Sequence, residues 1–321
     1  MPGRRTIGVD MGGTKLLAGA VDSGLSVHHR VQRSMSRLDQ SYLLDVVVEA
    51  VEETRDGAGG EIDAVGFGIP SLIDQRTGNA VVAVNLPLKN IQFQDVMAER
   101  LGLPVFVDND ANLAALAEHR AGAARGCNEA VVITLGTGIG GGLILGGRLY
   151  RGAVGAAAEL GHMVIDMNGP PCQGNCPNHG CFESLASGTA LAREALRIAR
   201  ERPDSGLGRA LAAGRELQGP LVSELAHDGD AAAIETIELI GTRVGVAIAS
   251  FVNIFNPEVV VIGGGVIGAG ERLLNAARAE MLARALPPSR DIVEIVPAAF
   301  GVEAGMIGAA ALAFDGLEEQ S

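Results

Sequence analysis

The chain has 321 residues, an apolar fraction of 47% and a formal net charge of −13. The apolar fraction excludes a disordered chain, and the length, about twice a typical domain of 100–200 residues, favours two domains. The acidic charge argues against nucleic acid as a main partner, because phosphate binding needs clustered Lys and Arg, and Lys15 and Lys89 are the only lysines.

The targeting signals of secreted and membrane proteins are not expected here. The basic start at residues 1–5 is followed only by a short strand-like run at 7–9, and the longest apolar stretch, 244–255, is too short to cross a bilayer. Three of the four cysteines are crowded into one short segment, which in a cytosolic protein favours metal binding over disulfides. We therefore expect a cytoplasmic protein with no membrane partner.

Strands and helices alternate along the first part of the chain. Strands are predicted at 6–10, 15–21, 62–69 and 105–107, and helices at 41–55 and 111–121. The strand, glycine turn and strand of residues 6–21 recur at 130–145. We interpret this recurrence as duplication of one βββαβα unit. Two such units facing each other would form a cleft, and each would present one glycine turn to it.

The alternation continues to the end of the chain. Helices are predicted at 184–200, 230–256, 303–314 and from the glycines at 263–265 to 286, and strands at 258–262 and 292–296. Residues 202–219 are predicted to form a mobile surface loop. The alternation of strands and helices indicates an α/β fold.

The first glycine turn follows directly after a buried strand, as phosphate-binding turns do. Gly12 and Gly13 let backbone N–H groups approach phosphate oxygens closely, while Thr14 adds a hydroxyl and Lys15 a positive charge. Asp10 is placed to hold Mg²⁺ through water. On its own, such a turn is equally explained as an ordinary tight hairpin.

The second glycine turn, at residues 135–142, repeats this chemistry with Thr137 and Gly138. Two matched turns favour phosphate binding over two unrelated hairpins. A Walker motif is absent, and the segment after Gly138 continues as a strand instead of opening a helix, which argues against a dinucleotide fingerprint.

A carboxylate for catalysis is predicted where the strand at 105–107 meets the next helix. Asp110 is placed to accept the proton of a hydroxyl during phosphoryl transfer, and Asn109 to hydrogen-bond neighbouring hydroxyls. Asp108 is a weaker candidate for the base. Alternatively, Asp110 only caps the helix.

A sugar pocket and a zinc site are predicted in the segment that follows. Glu159 and His162 offer a carboxylate and an imidazole to adjacent hydroxyls. The spacing Cys172-x3-Cys176-x4-Cys181 with one His matches a tetrahedral Cys3His zinc site, structural because all four positions are protein ligands. His162 is the favoured fourth ligand and His179 the alternative.

Together these residues resemble the ROK family of sugar kinases and sugar-responsive repressors, over nearly the whole chain. The two glycine turns resemble its phosphate motifs, and Asn109 and Asp110 its sugar-binding Asn and catalytic Asp. Glu159-x-x-His162 is similar to its sugar-contacting Glu and to the His that also binds zinc. The resemblance also implies a sugar contact for Glu183, two residues after Cys181.

The resemblance implies further contacts and shows two departures. Gly264 and Gly265, after the segment 253–258, resemble residues beside the adenosine site, and Asn85 resembles a residue that reaches the sugar. Ser71 stands where the family often has the last Gly of Gly-x-Pro-Gly, and either contacts sugar or supports the loop. The cysteine spacing is usually Cys-x-Cys, so two residues are inserted here after Cys172.

The fold implied by the resemblance is the actin-like ATPase (ribonuclease H-like) fold, with two α/β lobes and an interlobe active-site cleft. The small lobe would be residues 1–114, completed by a C-terminal helix at 301–321. The large lobe would be residues 115–300 with the zinc-binding loop. A homodimer is expected from the resemblance alone.

The implied activity is transfer of the γ-phosphate of MgATP to a hexose, with glucose and its 6-hydroxyl favoured. Mannose, fructose, allose and N-acetylglucosamine stay open as substrates, and polyphosphate as a donor. Repressors of the family carry a helix-turn-helix region before the first phosphate motif, for which the residues before Asp10 leave no room. A non-catalytic sugar sensor and an NAD-linked dehydrogenase are weaker alternatives.

Overall fold

The computed structural model describes residues 3–35, 39–74, 79–83, 86–88 and 91–320. The chain divides into two compact units. The first unit is Met1–Gly126 with Gly142–Ala158 and Ala299–Ser321, and the second is Cys127–Gly141 with Glu159–Ala298. The lobe boundary at 114 expected from the sequence falls inside a helix, whereas the first unit continues to Gly126.

The elements up to residue 126 belong to the first unit. In chain order they are β1 Arg5–Met11, β2 Lys15–Asp22, β3 Val27–Ser34, α1 Gln40–Gly57, β4 Ile62–Ile69, β5 Ser71–Asp74, β6 Asn79–Ala83, α2 Phe93–Leu101, β7 Val105–Asn109 and α3 Asp110–Ala121. Five of these strands form a sheet in the order β3-β2-β1-β4-β7. The pairs β3–β2 and β2–β1 are antiparallel, and β1–β4 and β4–β7 are parallel.

The remaining elements include a second five-stranded sheet. They are β8 Ala130–Leu135, β9 Ile139–Leu145, β10 Arg148–Leu149, α4 Phe182–Ala186, α5 Gly188–Glu201, α6 Gly206–Ala212, α7 Gly219–His227, α8 Ala231–Phe255, β11 Val259–Gly263, α9 Glu271–Arg284, α10 Ser289–Ile292, β12 Glu294–Pro297 and α11 Ala304–Glu319. The sheet order is β10-β9-β8-β11-β12, with β8–β11 and β11–β12 parallel. The two sheets therefore share one arrangement, as the repeated strand, turn and strand predict.

Aliphatic side chains build the core of the first unit. Strands β1 and β4 are buried along nearly their whole length and pack against α11, where the Thr6 hydroxyl donates to the carbonyl oxygen of Ala310 (3.0 Å). Two of the few aromatic residues, Phe67 and Phe93, pack edge to face with ring centroids 5.2 Å apart. This core supports the carboxyl ends of β1 and β7, where Asp10 and Asp110 lie.

Helix α8 is the longest helix of the second unit. By length and composition alone it could cross a bilayer, and it is longer than the apolar stretch recognised in the sequence; 56% of its most apolar segment is buried inside the protein. Gly241 and Gly245 face the carbonyl oxygens of Leu273 and Ala277 on α9 so closely that no Cβ would fit. This close packing is that of a core helix.

Two predictions about helices are wrong in detail. Residues 202–219 include α6, whose Leu207 and Ala210 are buried, so the segment is not simply a surface loop. The single helix predicted at 184–200 is two helices, because Ser187 has an extended backbone and accepts the N–H of Ala190 as the cap of α5.

Candidate active site and metal centre

The turn from β7 into α3 places Asp110 inside the first turn of the helix. Asn109 is the N-cap, and its side-chain oxygen accepts from the backbone N–H of Ala111 (2.9 Å) and Asn112 (3.2 Å). The prediction that Asp110 occupies the cap position is therefore wrong. Since Asn109 performs the capping, capping alone does not explain the carboxylate of Asp110, whose Oδ1 accepts from the backbone N–H of Ala111 (2.9 Å).

Asp110 lies near enough to Asp10 to influence the ionisation of Asp10. The pKa of Asp10 is raised to about 7, first by burial and then by the negative charge of Asp110, while Lys15 opposes the rise. Two neighbouring carboxylates, one of which raises the pKa of the other, offer oxygen ligands to a hard divalent cation. The donor set of the first unit therefore fits Mg²⁺, directly or through water.

The first glycine turn is closed by an internal backbone hydrogen bond. The N–H of Gly12 donates to the carbonyl oxygen of Lys15 (2.8 Å), so this N–H is used within the turn. Gly13, Thr14 and Lys15 are exposed and remain accessible to a ligand.

The second glycine turn is held by the start of α5 and by Glu183. Gly188 N–H donates to the carbonyl oxygen of Gly136 (2.8 Å), and the Thr189 hydroxyl donates to that of Thr137 (2.9 Å). The Glu183 carboxylate accepts from the N–H of Ile139 (2.8 Å). Gly188 and Thr189 were not singled out from the sequence, because nothing in their local pattern shows which turn they contact.

Gly264 and Gly265 lie beside this turn. Both are exposed. Gly264 has φ 87° and lies so close to the backbone of Leu135, the residue before the turn, that a Cβ would overlap with it. The structure therefore brings two of the segments predicted to bind nucleotide together in the second unit.

The predicted sugar-contacting residues of the second unit also cluster. A 3₁₀ turn at Leu160–His162 places Glu159 Oε2 3.9 Å from His162 Nε2. Burial raises the pKa of Glu159; His162 counteracts the rise and the charge of Glu183 adds to it. Glu159, His162 and Glu183 are thus near neighbours.

His162, Cys172, Cys176 and Cys181 form a compact cluster, with their donor atoms all within 4.8 Å of one another. Cys176 Sγ lies 3.9 Å from Cys181 Sγ, and Cys172 Sγ lies 3.5 Å from His162 Nδ1. A tetrahedral zinc ion with ordinary bond lengths gives S–S and S–N separations of about 3.8 and about 3.6 Å. The residues present therefore fit structural zinc, and Cys172 belongs to the set despite its unusual spacing.

The alternative ligand, His179, is exposed and lies outside this cluster. His162 directs Nδ1 toward the cysteines, while its Nε2 lies 3.9 Å from the Glu159 carboxylate, beyond direct hydrogen-bond distance. Burial, first among the causes, raises the pKa of the Cys172 thiol to about 12. A cation would be needed to keep these thiols ionised.

The remaining predicted residues have different surroundings. Ser71 is buried, and its carbonyl oxygen accepts from the side-chain amide of Asn109 (3.4 Å), which supports the loop. Asn85 lies outside the described residues. Asp108 is fully buried and its carboxylate is bonded to Arg151, so it is not accessible as a base.

The topology and the glycine turns define an α/β protein of the actin-like ATPase fold. A model of the ROK family matches residues 6–315, and the chain belongs to the ROK family. It is 36% identical to a glucokinase of Thermotoga maritima over 97% of this chain and 98% of the relative.

Two other relatives show the range of the family. A ROK family glucokinase from Streptomyces griseus, solved in complex with glucose and AMPPNP, is 34% identical with a TM-score of 0.86, covering 97% of this chain and 99% of that one. A xylose repressor of Bacillus subtilis is 28% identical over 91% of this chain and 71% of its own length.

Proposed function

We propose that this protein is an ATP-dependent hexose kinase that phosphorylates the 6-hydroxyl of glucose. The observation that carries the proposal is Asp110, a carboxylate in the first turn of α3 that is not the helix cap and that interacts with Asp10 beside the first phosphate turn. The likeness to glucokinases over almost the whole chain supports glucose as the substrate.

Each predicted residue has one role in this proposal. Asp110 takes the proton from the sugar hydroxyl as it attacks the γ-phosphate. Glu159, His162 and Glu183, with the side-chain amide of Asn109, hold the sugar hydroxyls.

Backbone groups and a cation hold the phosphates. The turns with Gly13 and Thr14 and with Thr137 and Gly138 approach the phosphate oxygens, and Gly264 and Gly265 border the adenosine. Asp10 would hold Mg²⁺, which when bound neutralises charge on the phosphates. Zinc on His162 and the three cysteines would fix the segment that carries Glu159 and Glu183.

We further propose that the enzyme works in the cytoplasm as a homodimer. The family resemblance supports the dimer, and light scattering coupled to size exclusion measures it directly. A monomer at all accessible concentrations would refute the dimer and leave the activity unaffected.

A coupled assay of ADP release with MgATP across a panel of hexoses tests the activity. We expect turnover that is fastest with glucose. Faster turnover with mannose, fructose, allose or N-acetylglucosamine would replace the substrate and keep the mechanism. Sugar binding without ADP release would refute the ATP-dependent kinase, and a parallel reaction with polyphosphate would show whether the donor is the error.

A further inference from the structure

An ion pair with a fully buried carboxylate lies beside the turn that carries the proposed base. Asp108 is fully buried, and its Oδ2 accepts from Nε of Arg151 at 2.6 Å. Its Oδ1 accepts from the backbone N–H of Asn109 (2.7 Å) and from the side-chain amide of Asn112 (3.0 Å). One carboxylate thus bonds to residues on both sides of Asp110.

Arg151 supplies the positive charge that stabilises the buried carboxylate of Asp108. A carboxylate removed from water is costly unless it is paired and hydrogen-bonded, and removing one partner leaves an uncompensated buried charge. The two other donors to Asp108 are neutral amides, whereas Arg151 brings the compensating charge from a segment 43 residues away in the chain. Loss of Arg151 would force Asp108 to seek water or a proton, and either change would disturb Asn109 and Asn112.

We propose that Arg151 is a positioning residue for phosphoryl transfer, which acts through Asp108 to fix the turn that carries Asp110. The inference rests on the proposed function of Asp110 as the base. The structural role of Arg151, which is to hold the turn at residues 108–112, follows from the geometry alone and does not depend on the activity. A displacement of about 1 Å in a catalytic group can lower the rate by as much as about a hundredfold. A small shift of the turn is therefore sufficient to slow phosphoryl transfer.

The kinetic test compares Arg151→Met with Arg148→Met. Arg148 is exposed in the same part of the chain, so the control removes the same charge without touching Asp108. We expect kcat to fall at least tenfold in Arg151→Met, with KM for ATP changed less than threefold, and partial recovery in Arg151→Lys. Wild-type kcat in Arg151→Met, or an equal loss in Arg148→Met, would overturn the proposal.

A double variant separates positioning from mere stability. Asp108→Asn combined with Arg151→Met removes both charges of the pair, including the buried carboxylate, so thermal stability should exceed that of Arg151→Met alone. We expect kcat to stay low, because without the Arg151 bond nothing holds the orientation of the introduced amide, and its oxygen then fixes the turn less well. Recovery of kcat together with stability would show that Arg151 only stabilises the fold and would overturn the proposal.

Hydrogen exchange gives a readout that does not need turnover. Arg151→Met should accelerate amide exchange at residues 109–112, and Arg148→Met should not. Unchanged exchange would overturn the proposal even if the enzyme is active. Accelerated exchange in a protein that releases no ADP with any sugar would support the mechanical role and place the failure in the proposed function.

Discussion

Ala158 has a left-handed backbone with φ 65°, one residue before the proposed sugar ligand Glu159. The left-handed conformation costs a residue with a Cβ roughly 1–2 kcal/mol, whereas glycine adopts it freely. The backbone strain therefore lies immediately before Glu159, where the backbone conformation sets the direction of the Glu159 side chain.

Replacing Ala158 with glycine should relieve the strain. We expect Ala158→Gly to raise the free energy of unfolding by about 1 kcal/mol, measured by denaturant titration. Ala157→Gly is the matched control, because Ala157 is not among the residues with positive φ, and it should bring no gain. Unchanged or lower stability in Ala158→Gly would contradict the assignment of strain.

Some site residues could be predicted singly and others could not. The cysteine cluster was identifiable because spacing along the chain carries its chemistry, whereas the role of Asp110 stays a prediction. The cap was placed one residue late, since both Asn109 and Asp110 are good capping residues and only the backbone decides between them. Arg151 was missed because its partner lies 43 residues away, and no local pattern shows such a pairing.

At the scale of elements, the short helix α4 connects the proposed metal, sugar and phosphate sites. Cys181 precedes it and Glu183 lies within it. Two arginines from other helices donate hydrogen bonds to its backbone carbonyl groups. Arg193 donates to the carbonyl oxygen of Ser184 (2.7 Å) and Arg243 to that of Leu185 (2.9 Å). A helix of five residues is not stable alone, so these bonds and the bond that Glu183 accepts from the N–H of Ile139 fix its position.

Gly138, in the second phosphate turn, lies against the Glu183 carboxylate of α4. A Cβ there would overlap with the Glu183 carboxylate, which is the movable end of a side chain. We therefore expect Gly138→Ala to change stability by less than about 1 kcal/mol but to displace Glu183 and weaken glucose binding at least fivefold, measured by calorimetry.

Gly136→Ala is the control for this substitution. A Cβ at Gly136 meets nothing nearer than the carbonyl oxygen of Gly138 at 3.8 Å, so glucose binding should stay within twofold of wild type. Equal weakening in both variants would show that the turn tolerates no side chain and that Glu183 is not the cause.

The metal cluster predicts which of two histidines is needed for zinc binding. We expect wild type to carry one zinc ion per chain, and His162→Ala to lose it to a colorimetric chelator at concentrations that leave wild type loaded. Since His179 lies outside the cluster, His179→Ala should retain zinc. Thermal stability should fall with zinc loss. Loss of zinc in His179→Ala but not in His162→Ala would contradict the ligand assignment.

At the scale of the whole molecule, the sheets were more predictable than the elements around them. Strands such as β1, β4 and β8 consist mainly of apolar residues and are followed by glycine or polar turns, so the sequence alone predicts them. Strand β3 and helix α7 were missed. In β3 nearly every second residue is exposed, and its polar sequence resembles a loop. Such peripheral elements depend on packing that the local pattern does not contain.

The repeat also explains why the site could be predicted only in parts. Each copy carries its own glycine turn, and the chemistry of each turn is local. The second glycine turn is fixed by Glu183 and Thr189, which come from a distant segment. Arg151, the partner of Asp108 beside the turn that carries Asp110, is also distant in the sequence. These pairings required the structure.

The central claim is tested most directly by Asp110→Asn, assayed for glucose-dependent ADP release alongside calorimetry of glucose binding. Because general base catalysis typically supplies about 10²–10⁴-fold, we predict a loss of kcat of that size with glucose affinity within about threefold of wild type. Activity within about tenfold of wild type in a variant that binds glucose normally would contradict the role of Asp110 as the base.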